Sequence, residues 1–167
     1  MPDVEIRYDP AVWAPVAESG GMSVDPEAAA TLVRLLVHAP SGGRFLLLAE
    51  PVEPPVVVDL SATAVGAATS RAVAEDAFIG AKVGQLEEVE LAGGVGAFRY
   101  IRFPQVAEFL PGEPGEDVFV AELHYVRVIR GIDTACVLIA TVITPRINDL
   151  AGIAEHVESL VELATVS

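Results

Sequence analysis

The run Ala135-Cys-Val-Leu-Ile-Ala-Thr-Val-Ile143 limits the possible folds more than any other stretch of this chain, because it carries a single hydroxyl and no charge. A strand with one wet face alternates apolar and polar residues. One that is apolar on both faces has to be covered on both, so the run predicts a central strand of a sheet. It is half the length of a membrane helix, which takes about 20 apolar residues. Its partner lies directly upstream. Val118 to Arg130 forms a second long strand, and Gly131-Ile132 between the two suits a type II′ turn. That register sets Arg130 opposite Asp133, Tyr125 opposite Leu138, Glu122 opposite Thr141 and Cys136 opposite Arg127.

The same reasoning extends in both directions. Leu86 to Leu91 and Ala97 to Phe103 form an antiparallel pair about Gly93-Gly94. Val4 to Tyr8, Phe45 to Leu48 and Val56 to Leu60 are further strands, with Pro10, Trp13 and Pro15 marking an irregular stretch after the first. Ser70 to Val83 predicts a helix, with Val73, Ala77 and Ala81 four apart and Gly84 to end it. Asp25-Pro26-Glu27 is a helix start, and Ala28 to Val37 continues it. Thr31 to His38 and Arg44 to Ala49 read equally as a hairpin about Pro40-Ser-Gly-Gly43, and both readings stand. After Pro145, Asn148 is placed to cap a closing helix. Ile147, Leu150, Ile153, Ala154, Val157, Leu160 and Val161 line its inner face, with Glu155, Glu158, Ser159 and Glu162 outside. The 167 residues, 52% of them hydrophobic, suffice for one domain, residues 1–167. The expected class is α+β: an antiparallel β-meander sheet packed by a C-terminal helix and one or two further helices.

Charge and cysteine content narrow the function. Twenty-four acidic residues against ten basic ones leave the chain at −14, which opposes nucleic acid and anionic lipid. No apolar leader follows Met1, where Asp3, Glu5 and Asp9 stand, so the expected location is cytoplasmic, with no membrane insertion. The one cysteine rules out a disulfide framework or a thiolate cluster. Nine arginines to one lysine, with abundant Ala, Val and Gly, is the residue usage of a high-GC genome of actinobacterial type.

Few residues invite chemistry. Gly93-Gly94-Val95-Gly96 runs into the strand-forming Phe98-Arg-Tyr-Ile101, whereas a phosphate cradle would lead into a helix. Cys136 and His124 fall on opposite faces of their sheet and so do not make a thiol–imidazole pair. Glu122 and His124 share a face, half of a metal or acid–base site, but neither His38 nor His156 has a place beside them. The expectation is therefore no catalytic residue, no metal and no cofactor. Two groups remain as binding candidates. The long connection from Pro104 to Asp117 carries Phe109 and Leu110 among Glu108, Glu113, Glu116 and Asp117, with no basic residue. Apolar anchors ringed by acids suit a protein partner with a basic surface; the plainer reading folds Phe109 and Leu110 back onto the core. Arg99, Arg102, Arg127 and Arg130 lie on predicted strands, where an inward one needs a carboxylate or an anionic ligand held between sheet and middle helix. An exposed strand edge would also permit a homodimer.

The order of elements, with Val89-Glu-Leu-Ala-Gly-Gly-Val-Gly-Ala-Phe-Arg-Tyr100 as strand–turn–strand and Ile143-Thr-Pro-Arg-Ile-Asn-Asp-Leu150 leading into the last helix, resembles the PsbP-like superfamily. That group includes photosystem II extrinsic proteins, a nuclear-transport GTPase-binding protein and actinobacterial lipoproteins of LpqN type. The similarity spans roughly Val56 to Leu163. It implies a mostly non-enzymatic protein that acts by binding other proteins, and it transfers no individual site residue. Many bacterial members are exported, whereas a lipobox cysteine is missing here.

Overall fold

The run at 135–143 becomes an inner strand of a seven-stranded antiparallel sheet. A computed structural model of the chain describes residues 4–15, 43–48, 56–64, 87–108, 112, 117–131 and 135–166. The predicted helix at 70–83 and the segment 28–38, with its two readings, lie outside these residues. The strands are β1 (Val4–Glu5), β2 (Trp13–Pro15), β3 (Gly43–Leu47), β4 (Val57–Ala64), β5 (Glu87–Leu91), β6 (Val95–Arg102), β7 (Ala121–Arg130), β8 (Ala135–Thr144) and β9 (Thr165–Val166). The large sheet has the order β2-β3-β4-β8-β7-β6-β5, so β8 is flanked by β4 and β7. Its last four strands in sequence form the expected meander. β1 and β9 pair separately, Val4 with Val166 and Glu5 with Thr165.

One helix is described, α1 (Leu150–Leu163). It buries Ile153, Ala154, Val157, Leu160 and Val161, the apolar face predicted from spacing. These pack into one cluster with Leu123, Tyr125 and Ile129 of β7 and Cys136, Leu138, Ala140 and Val142 of β8. Arg127 of β7 closes the far end of the helix: its Nη1 donates to the carbonyls of Val161 (2.6 Å), Glu162 (2.7 Å) and Ala164 (3.0 Å). Those are among the carbonyls a helix C-terminus leaves without internal partners, and a cation there also complements the helix dipole.

Three local expectations are corrected. β7 and β8 pair Arg130 with Ala135, Tyr125 with Ala140 and Glu122 with Ile143, so residues 131–134 separate the strands, not Gly131-Ile132 alone. Cys136 accordingly lies opposite Ile129. The slip is of two residues, which preserves every side chain's face; alternation fixes the face and leaves a two-residue slip open. Trp13 is not in an irregular stretch: it pairs with Leu47 on the outer strand β2 and is buried. Asn148 does not cap α1. It sits in a 3-10 turn, Ile147–Asp149, and Asp149 accepts from Arg146 Nε at 3.0 Å. The hairpin between β5 and β6 turns through Gly93 (φ 73°) and Gly94 (φ 77°), conformations open to glycine without strain.

Candidate functional site

The connection after β6 starts as an extension of the sheet. Gln105 bridges Phe119, which continues the β6–β7 register from the Arg102–Glu122 pair. Val106 N–H donates to Val118 O and Val120 N–H to Pro104 O, both at 2.9 Å. The Gln105 side-chain amide donates to Asp117 O at 3.2 Å, and its backbone N–H donates to Glu108 Oε2 at 3.1 Å. The stem of the loop is thus fixed from both sides. Of the predicted contact residues, Glu108 and Asp117 are exposed on this stem, while Phe109, Leu110, Glu113 and Glu116 lie outside the described residues.

Three apolar side chains that sequence reasoning passed over stand exposed on the same stem: Phe103 (51%), Val118 (49%) and Phe119 (55%). In the continued register Phe103 and Phe119 occupy one face of the ladder as diagonal neighbours. Their signal in the sequence was the β-rich pair Val118-Phe119 directly after two acids, which read simply as the start of a strand.

The four strand arginines have distinct surroundings. Arg99 pairs across strands with Glu87 at 2.8 Å, and Arg127 caps α1. Arg102 is bonded through Nε to Glu122 and through Nη1 to Glu108 at 3.1 Å, so it joins the stem to the sheet. Arg130 is exposed at the end of β7. The guanidinium groups of Arg99, Arg102 and Arg127 therefore meet acceptors supplied by this chain.

On the sheet face opposite α1, polar residues form a row across neighbouring strands: Arg44, Asp59, Thr141, His124 and Tyr100. Glu122 is one step along β7. His124 Nε2 lies 2.6 Å from Glu122 Oε1, and its Nδ1 lies 3.0 Å from Thr141 Oγ1. A carboxylate only accepts, so Nε2 carries a proton toward Glu122. Burial raises the Glu122 carboxyl, but the hydrogen bond and charge of His124, with Arg102 beside them, outweigh it and hold the group below its ordinary range. The half-site expected at Glu122 and His124 is thus an internal hydrogen-bonded pair. No three His, Cys, Asp or Glu side chains among the described residues are grouped to hold a metal ion. Cys136 is buried, its thiol pushed up by that burial against the opposing pull of Arg127.

Asp59 is the exception in this row. Its side chain is 1% exposed, neither carboxylate oxygen has a hydrogen-bond partner among the described residues, and Arg44 Nε is 3.9 Å away. Burial pushes its carboxyl above the ordinary value of 3.8, more than Arg44 lowers it. A raised carboxyl binds its proton more tightly folded than unfolded, so its contribution falls as pH rises from about that value through the raised one. Glu122 has the opposite sign, its contribution being lost as pH falls through its lowered value. Asp59→Asn is therefore expected to raise stability at neutral pH by about 1–2 kcal/mol and to have much less effect in acid. Urea midpoints measured across that range check it; an equal shift at every pH would show that the charge is not the cause.

No family model and no curated protein matches the chain. No described helix is long and apolar enough to cross a membrane. Among solved structures, LpqN of Mycobacterium tuberculosis, a protein involved in cell envelope biogenesis, is similar at a TM-score of 0.54 and 12% identity, over 100% of this chain and 84% of LpqN. Likeness at that identity is one of architecture: the chain has a distant LpqN-like fold.

Proposed function

We propose that this chain is a non-catalytic protein-binding module of PsbP-like architecture, a chaperone, assembly factor or inhibitor that docks on a basic surface of its partner. The observation that carries this reading is the stem of the 104–117 connection. Phe103, Val118 and Phe119 are about half exposed there, beside the acids Glu108 and Asp117, on a chain of net charge −14. Exposed aromatic anchors supply affinity when buried by a partner, and a surrounding field of one sign selects and steers the opposite one. Like charge of this size opposes a second copy of the chain at the same surface. The internal partners of Arg99, Arg102 and Arg127 favour this reading over an anionic ligand held by those arginines.

Photo-crosslinking in cells tests it, with the reactive side chain at position 119 or, as control, at the exposed Glu155 of α1. A discrete adduct from position 119, weakened by salt and absent from position 155, is the expected result. Identical adducts from both positions would remove the stem from the argument, and an adduct between two copies would make the surface a homodimer contact. In this reading the module works in the cytoplasm. Cell fractionation checks that part; recovery with the envelope would align the protein with the process in which LpqN takes part.

A further inference from the structure

We infer that the partner engages the stem as an added β-strand, an extended segment with alternating apolar and basic residues that pairs with the outer edge at Phe119. This rests on the protein-binding reading and specifies its mode. In the bridge between Gln105 and Phe119, the bonds from Val106 N–H to Val118 O and from Val120 N–H to Pro104 O run from the residues on either side of Phe119. Backbone groups of successive strand residues point to opposite sides, so the N–H and C=O of Phe119 itself face away from the 104–106 segment. No described residue bonds to either group.

The reason lies in β8. Its pairing with β7 ends at Thr144 opposite Ala121, and the same register would next place Arg146 opposite Phe119. Pro145 intervenes, and the Arg146 N–H turns to Thr144 Oγ1 at 3.1 Å. The strand that would have covered Phe119 therefore leaves the sheet one step early. What remains among the described residues is a donor and an acceptor without a partner, beside two exposed aromatic rings, with the acids Glu108 and Asp117 on the same stem. Strand addition uses these features together: main-chain bonds to the free edge, an apolar side chain against Phe103 and Phe119, and basic ones toward the acids. The charge of the chain opposes a segment rich in acids.

Amide hydrogen exchange and NMR titration with a short peptide of alternating valine and lysine test the inference, with a valine–glutamate peptide as control. The lysine peptide is expected to bind and to slow exchange of the Phe119 N–H roughly tenfold or more, while the control does neither. Phe119→Pro deletes that N–H as well as the ring, so it is expected to weaken binding roughly tenfold beyond Phe119→Ala. Fluorescence of Trp13, the chain's one tryptophan, verifies that both variants fold. Binding without protection of Phe119, or equal losses in the two variants, would overturn strand addition and leave side-chain docking, with the protein-binding reading intact. If neither peptide binds, the strand model falls, and the crosslinking experiment judges the broader reading by itself. Equal binding of both peptides would overturn the charge requirement.

Discussion

Trp13→Ala is expected to cost about 4 kcal/mol, the range for emptying a buried aromatic site. Small domains are stable by about 5–15 kcal/mol, so this one change removes a large part of the total. The reasoning is specific to β2. Trp13 is 1% exposed, pairs with Leu47, and packs in the same cluster as Phe45, Val58 and the inner face of α1. Its indole N–H has no hydrogen-bond partner among the described residues. Trp13→Phe therefore sacrifices volume without breaking a bond and should cost much less than Ala. Urea denaturation followed by far-UV circular dichroism measures both. Near-equal and small losses would mean that β2 is peripheral and that the core closes without it.

Arg127→Ala has the second largest expected effect, about 3 kcal/mol, since hydrogen bonds from a charged donor contribute about 1.5–3 kcal/mol each and do not add fully. Three carbonyls at the end of α1 converge on one guanidinium nitrogen, and burial lowers the pKa of that guanidinium against the support of Glu162. Removing it leaves half-buried carbonyls without a donor. Arg127→Lys restores the charge but not the flat, multi-donor head, so it should recover only part of the loss. Hydrogen exchange offers a local readout: amides of the last turn of α1 should open before the sheet does. If Arg127→Ala shifted the urea midpoint no more than a surface substitution, the helix end would be held by packing alone.

The parts of the fold that were legible in the sequence are those where one pattern decides one thing. The unbroken apolar run of β8 marked an inner strand, and the spacing of Ile153, Ala154, Val157, Leu160 and Val161 marked the buried face of α1. Turn length was not legible, because the alternation of β7 and β8 is satisfied equally by registers two residues apart. Trp13 was hidden by its neighbours. Pro10 and Pro15 look like breakers, yet proline is tolerated on an outer strand, where a backbone N–H need not pair. The stem of the 104–117 connection was legible only in its charge. Acidic content pointed to Glu108 and Asp117, but exposure of Phe103 and Phe119 depends on where β8 departs, and that is set by Pro145 and a hydroxyl at Thr144. The fate of the arginines was equally a matter of tertiary contact. Nothing local tells that Arg127 meets a helix terminus some thirty-odd positions downstream.

The small ladder between β1 and β9 also has a geometric consequence. Val4 and Val166 are cross-strand partners, and Arg127 bonds to Ala164 immediately before β9, so both ends of the described chain gather near the later half of β7. Phe119 precedes the start of that strand, eight positions before Arg127 and, at about 3.3 Å per residue, roughly 25 Å away. A handle placed beside either strand of this small ladder would start from the same corner, most of the length of β7 away from Phe119, so a support attached there would stand clear of that residue.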